Sequence, residues 1–157
     1  RMSEDGVTPP RLGELGLVNF APYLMNRLMG RYNASLREEM SGLGLTTPKM
    51  RSLAVLSVID GPLIRELAVY TVVAQSTPSR ALDQLAADGL VRREVDTADS
   101  RAARMFITDA GRLTFDSLWP HRAATQARMF RGIPDEERRA FVAILQKMLA
   151  NIRKHEI

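Results

Sequence analysis

The feature that most constrains this sequence is a change of hydrophobic period at Gly89. Before it, apolar residues recur every three or four positions, the spacing of amphipathic helices. After it, Val91 and Val95 stand in an alternating pattern with charged residues, which is typical of a strand. Glycine readily takes the left-handed conformation that ends a helix. We therefore predict a mainly α protein with a small β-hairpin, in the α+β class.

The remaining periodicity and the capping residues predict the order of the elements. Thr46-Thr47-Pro48 and Thr108 are helix starts, and Pro120 should kink or break the helix that contains it. The predicted elements are a long helix over 17–40, a helix over 46–58, two short helices over 63–73 and about 77–88 joined by a polar turn over 74–77, strands over 91–95 and 104–107, a helix over 108–130 and a last helix over 133–152. The two short helices form a helix-turn-helix.

Composition excludes several classes of protein. The 157 residues include no cysteine, so disulfides, thiol chemistry and cysteine-bound metals are absent. No apolar run approaches the roughly 18 to 20 residues that a membrane span needs, and the first ten residues lack the apolar core of a secretory signal, which predicts a cytoplasmic protein. His121 and His155 have no ligand partners at motif spacing. We predict no enzyme activity, no catalytic residues, no cofactor and no metal site.

Net charge is a weak guide to function here. The chain carries a formal charge of +4, but residues 65–112 contain seven arginines and seven acids. The placement of particular side chains must therefore decide what the chain binds.

Polar side chains cluster where the second short helix begins. In a helix-turn-helix this helix enters the major groove, about 12 Å wide, with its first residues nearest the base edges. Glutamine can pair with adenine, arginine with guanine, and hydroxyls with bases or phosphates. An alternative is that the serines and threonines only cap backbone amides at a solvated helix end. The candidate DNA-contacting residues are Gln75, Ser76, Thr77, Ser79 and Arg80.

The hairpin tip carries a second group of candidates. Asp99 stands two residues before Arg101, and Arg104 follows closely. A carboxylate at that spacing can hold the Arg101 guanidinium outward, and an arginine so held can enter a narrow minor groove. The alternative is an ordinary exposed ion pair that contributes under about 1 kcal/mol. The helix-turn-helix before the hairpin favours groove insertion.

The end helices predict a homodimer. The helix over 17–40 and the two helices after the hairpin are long and apolar relative to the small central unit that they could cover. A second copy of the chain is the natural partner for such faces, with the terminal helices interleaved.

Taken together, these motifs resemble the MarR family of winged-helix transcription regulators over roughly residues 15–152. No single motif is specific, but their order and spacing are. The residues that carry the resemblance are Glu66–Ala68, Ser76–Leu85, Asp88–Val91, Asp99–Ala102 and Ile107–Arg112, together with the helix starts at 45–46 and 133–137.

The resemblance implies a division of the chain into regions. It implies a flexible N-terminal segment over 1–14, a dimerisation region over 15–45 and 113–157, and a winged helix-turn-helix over 46–112, all in one intertwined domain. It also implies a homodimer on a pseudo-palindromic operator in double-stranded DNA. Lys49 and Arg51 are weaker candidates for phosphate contact. A small aromatic or phenolic effector that releases the DNA is a further implied partner.

Three departures from the family pattern keep an alternative open. Pro78 stands where an aliphatic residue is usual, Ala74 where a better cap is usual, and Ser100 where an arginine is common. If Ser76 caps the helix instead, the helix starts later and other side chains meet the bases. The alternative function is a dimeric ligand-binding or protein-interaction module that retains the fold but has lost DNA binding.

Overall fold

The computed structural model describes residue 6, residues 8–72 and residues 76–157, without the side chains of 76–78. The chain divides into two compact units, one up to Glu39 and one from Met40 onward. Among the described residues no helix is long and apolar enough to cross a bilayer. The helices are α1 (Leu12–Leu15), a 3-10 turn (Leu17–Asn19), α2 (Ala21–Ser41), α3 (Thr47–Val58), α4 (Ile64–Thr71), α5 (Ser76–Ala87), α6 (Asp109–Met129) and α7 (Asp135–Ile152); the strands are β1 (Val91–Val95) and β2 (Ala103–Ile107).

The first helix begins later than the periodicity predicts, so the predicted start at Leu17 is wrong. Gly16 has a positive φ of 80°, which separates α1 from the 3-10 turn, and α2 begins only at Ala21. Pro22 explains this start, because a proline in the first helical turn lacks an N–H that would be unsatisfied there anyway. The predicted boundary at residue 14 lies inside α1.

The winged helix-turn-helix is confirmed, and its core lies between the helices and the hairpin. Helices α3, α4 and α5 pack on one another, and the inner face of the hairpin packs beside them. The helical and alternating apolar patterns of the sequence thus meet in one cluster. Its buried members are Leu53, Leu56, Leu67, Leu82, Leu85, Val91 and Met105.

The predicted helix starts are confirmed by their capping contacts. The hydroxyl of Thr46 accepts from the backbone N–H of Lys49 at 3.5 Å, and that of Thr108 accepts from Gly111 at 3.1 Å. Helix α6 runs unbroken through Pro120, so the alternative of a break is wrong. Pro120 and Asp116, whose carbonyl loses its helical donor, are both exposed, and water can satisfy that carbonyl.

The hairpin is antiparallel and is tied to the loop before α4. Val91 pairs with Ile107 and Val95 with Ala103, as expected for the predicted strands. The backbone N–H of Met105 donates to the Pro62 carbonyl at 3.0 Å, and Leu63 bridges to Arg104. The loop is therefore joined to β2 by an isolated bridge, outside the two-stranded sheet.

Two glycines hold the junctions of the hairpin with the helices. Gly89 has a φ of 74° and ends α5, as the sequence predicts. Gly111 in α6 lies against the ends of the hairpin, and a Cβ atom there would overlap the carbonyl oxygen of Leu90, just before β1, and approach Ile107 Cγ1 of β2 to 2.8 Å. Only glycine allows α6 to start this close to the hairpin.

We expect Gly111→Ala to destabilise the fold. The new methyl group meets backbone as well as side chain, so the structure cannot relax cheaply, and the free energy of unfolding should fall by about 2 to 3 kcal/mol. Urea unfolding at fixed protein concentration measures this. Ala110→Ser, at the exposed neighbouring position, is the control and should change little. Equal unfolding midpoints for the two variants would contradict the close packing of α6 on the hairpin.

Candidate nucleic-acid interface

The outer face of α5 is one half of the candidate interface. Helix α5 starts at Ser76, so Ser76 is its first residue rather than its cap, and Pro78 occupies the third position, still within the first turn. Ala81, Leu82 and Leu85 are buried in the core, which leaves Arg80 exposed on the opposite face with Ser79 half-buried.

Several residues predicted for this face lie outside the description. Gln75 is outside the described residues, as is Ala74, and so are the side chains of Ser76 and Thr77. Their contacts with DNA stay predictions, as do those of Ser79 and Arg80.

The hairpin tip is the other half of the candidate interface. The Arg101 side chain is 91% exposed, and its Nε lies 3.5 Å from Asp99 Oδ1. The same carboxylate oxygen accepts from the backbone N–H of Arg101 at 3.0 Å. The pairing of Asp99 with Arg101 that the sequence predicts is confirmed. Asp99 thus contacts both the backbone and the Nε of Arg101, while most of the side chain stays in solvent.

Arg104 makes contacts within the protein that the sequence does not predict. The sequence places Arg104 among the DNA-contacting residues, but its Nε donates to Asp96 Oδ1 at 2.7 Å and its Nη1 donates to the Gly61 carbonyl at 2.8 Å. Two directional bonds hold the guanidinium against the protein. The structure therefore assigns Arg104 to the joint between the hairpin and the loop. The side chain is still 42% exposed and keeps further N–H donors, so its contact with DNA stays a prediction.

Asp96 is a residue that sequence reasoning missed. Its carboxylate is nearly buried, binds Arg104 through Oδ1 and accepts from the backbone N–H of Asp99 through Oδ2 at 3.1 Å. The hydrogen bond from Arg104 lowers the pKa of Asp96 below its usual value, although desolvation opposes the shift. The sequence does carry one signal for this role. Asp96 opens the turn between β1 and β2, and an aspartate in that place commonly accepts hydrogen bonds from backbone amides of the same turn.

The other arginines of β1 are also engaged within the protein. Arg93 Nη2 lies 3.3 Å from Asp83 Oδ1, which ties the strand to the exposed face of α5. Arg92 lies over the Phe106 ring, 4.3 Å from its centroid, and pairs with Glu94. The basic residues of this region therefore contribute unequally to any surface offered to DNA.

The two weaker candidates lie on α3. Lys49 is half-buried in the first turn of α3. Arg51 Nη1 donates to the carbonyl of Thr71, the last residue of α4, at 3.2 Å. That bond satisfies a carbonyl at a helix end, where Val72 takes a left-handed φ of 55°. Arg51 thus holds the end of α4.

No group of three or more histidine, cysteine, aspartate or glutamate side chains able to hold a metal occurs in the part of the chain that the structure describes. His121 and His155 are both exposed.

Comparisons with known proteins agree with this geometry. A family model described as the MarR family matches residues 43–102. The crystal structure of a MarR-family transcriptional regulator from Silicibacter pomeroyi is 61% identical, covers 94% of this chain and all of that one, and has a TM-score of 0.90. The transcriptional repressor IacR of Pseudomonas putida is 22% identical over 91% of this chain and 86% of its own.

A third similar protein has a known regulatory ligand. BpsR of Bordetella bronchiseptica, whose DNA binding is regulated by 6-hydroxynicotinic acid, shares the fold with a TM-score of 0.70 and 24% identity, covering 82% of this chain and 97% of its own.

We expect the Asp96 carboxyl to titrate below the usual aspartate pKa of about 3.9. Because the folded-state pKa is lowered, the contact stabilises the fold above the unfolded-state pKa, and this contribution is lost as pH falls through the folded-state value. Carboxyl-carbon NMR titration measures the shift. In Arg104→Gln the pKa should return toward the usual value. An unchanged titration in that variant would refute the assignment of Arg104 as the cause.

Proposed function

This chain belongs to the MarR family of DNA-binding transcription regulators, and on that premise we propose that it binds a pseudo-palindromic operator as a homodimer. One observation carries the proposal: Arg101 stands almost fully exposed at the hairpin tip while Asp99 holds its base. An arginine presented in this way suits the narrow, strongly negative minor groove of A/T-rich DNA.

The major-groove contacts are assigned to the start of α5. Arg80 is exposed there and can pair with guanine in bidentate fashion, and Ser79 can reach a base or a phosphate. Gln75, Ser76 and Thr77 precede them and complete the proposed set. Lys49 is proposed as a phosphate contact, because phosphate contacts set the register of the protein on the duplex. Arg51 and Arg104 are assigned to holding the helix and the hairpin that carry these groups.

The homodimer is supported by apolar side chains that the protomer leaves in solvent. On α6, Trp119 is 52% exposed and Leu113 is 73% exposed. Helix α7 has no buried residue and presents an apolar stripe along its length. The exposed members of that stripe are Phe141, Val142, Ile144, Met148, Leu149 and Ile152. A second copy is the occupant we propose, since a two-fold interface lets each chain cover the same stripe on the other.

A small-molecule effector is a further part of the proposal. BpsR, which shares the fold, responds to an aromatic acid. We propose that a small aromatic or phenolic compound releases this chain from its operator, and that the regulator acts in the cytoplasm, where its DNA target lies.

Selection of bound fragments from genomic DNA tests the function and yields the operator together. The expected product is an inverted repeat whose half-sites lie about one helical turn apart, bound with an affinity that falls steeply as salt rises. A chain that retains the fold without the function would enrich no sequence and show no salt-sensitive shift.

Arg101→Ala should weaken operator binding by about 1 to 3 kcal/mol without changing the unfolding midpoint. The side chain is 91% exposed and pairs with Asp99 in an exposed ion pair, so its removal should cost the fold little. Fluorescence anisotropy with the selected operator measures the loss. Arg131→Ala, which removes one exposed arginine beyond α6, is the charge-matched control. Equal affinities for the two variants would remove the minor-groove contact from the proposal.

Sedimentation equilibrium should give twice the 17.5 kDa protomer mass. Leu149→Glu places a charge in the proposed apolar interface and should shift the protein toward monomer. Gln146→Glu adds the same charge at an exposed polar position of α7 and should leave the dimer intact. A wild-type protein that sediments as a monomer would exclude the dimer.

A further inference from the structure

We propose that Asp96 is a positioning residue for DNA binding, which links the body of the protein to the minor-groove probe Arg101. The inference rests on the proposed role of Arg101. Contacts within the turn would by themselves account for this nearly buried carboxylate, and the proposal adds a role in DNA binding.

Toward the tip, Asp96 organises the turn that carries Arg101. Its Oδ2 accepts from the backbone N–H of Asp99 at 3.1 Å, and its own backbone N–H donates to the Ala102 carbonyl at 3.0 Å. Asp99 in turn accepts from the backbone and the Nε of Arg101. The direction in which Arg101 leaves the tip therefore depends on where Asp96 holds Asp99.

Toward the body, Asp96 is anchored through Arg104. The guanidinium of Arg104 spans Asp96 Oδ1 at 2.7 Å and the Gly61 carbonyl at 2.8 Å. Gly61 already lies close to the hairpin, since its φ is 66° and a Cβ there would lie 2.7 Å from the Phe106 ring, so only glycine fits at this position. Backbone pairing of Met105 with Pro62 fixes the same segment. An unbroken set of hydrogen bonds thus runs from the loop before α4 to Arg101.

This arrangement differs from a contact that only adds stability. Arg101 is 91% exposed, and Asp99 supplies the hydrogen bonds that orient it. Shifting Asp99 would leave the hydrophobic core intact but would spread Arg101 over several directions, and that freedom would be lost on entering the groove.

The direction in which Asp96→Asn changes DNA affinity distinguishes positioning from a simple change of charge. Asp96→Asn keeps the shape of the side chain and raises the net charge of the chain by one unit. A more positive protein binds a polyanion more tightly if nothing else changes. Positioning predicts the opposite, a loss of affinity.

The test is a double-mutant cycle on operator affinity with the wild-type dimer, Asp96→Asn, Arg101→Ala and the double variant. Asp96→Asn should weaken binding about tenfold in the wild-type background, a part of the loss expected for removing Arg101 itself, and by less than about twofold when Arg101 is already alanine. Asp88→Asn removes an exposed acid just after α5 and is the charge-matched control; the affinity of this variant should stay equal or rise.

The outcomes separate this inference from the proposed function. If Arg101→Ala leaves affinity unchanged, the minor-groove contact fails and the inference fails with it. If Arg101→Ala weakens binding while Asp96→Asn has no effect, or has the same effect in both backgrounds, only the positioning role of Asp96 is overturned.

A second variant covers the case in which Asp96→Asn does not fold. Arg104→Gln removes the guanidinium that spans Asp96 and the Gly61 carbonyl, and it should weaken binding more in the wild-type background than when Arg101 is already alanine. The same loss in both backgrounds, with unfolding midpoints that match the wild type, would overturn the linkage through the Asp96–Arg104 ion pair.

Discussion

Attachment of the hairpin to the helices is the constraint on which the rest of this structure depends. A two-stranded hairpin is marginally stable by itself in water. Here its inner side chains Val91 and Met105 are buried in the core, and its second strand gains backbone partners from the loop over 61–63. Because apolar burial and directional hydrogen bonds act on the same strands, the hairpin has one position relative to α5. The two-groove contact proposed for this chain requires that position to be defined.

In the hairpin, the position of each arginine matters more than the net charge of the segment. Arg92, Arg93 and Arg104 each have a partner within the protein, through a ring, a helix carboxylate and a turn carboxylate respectively. Arg101 is the arginine of the hairpin whose side chain stays almost wholly in solvent. This explains why a nearly neutral segment can still be proposed to bind a polyanion, since specificity in DNA recognition depends on where a few charges point.

Much of the fold could be predicted from local patterns. The threonine caps at 46 and 108, the turn at Gly89 and the alternation in β1 each depend on a few neighbouring residues, and all are confirmed. The pairing of Asp99 with Arg101 is of the same kind, because two residues of separation bring the groups together. The start of the long helix was misplaced, since apolar spacing continues from Leu17 through a 3-10 turn that the pattern cannot distinguish from helix.

The sequence by itself determined the type and order of the elements, the helix caps and the acid–arginine pair at the tip, because each is a matter of short-range spacing and intrinsic conformational preference. Only the tertiary structure decided that Arg104 faces Gly61, 43 residues away, and that Asp96 is nearly buried between Arg104 and the tip. Such contacts depend on how the loop before α4 meets the second strand. No local pattern specifies the contact between this loop and the second strand, because it depends on how the whole core packs.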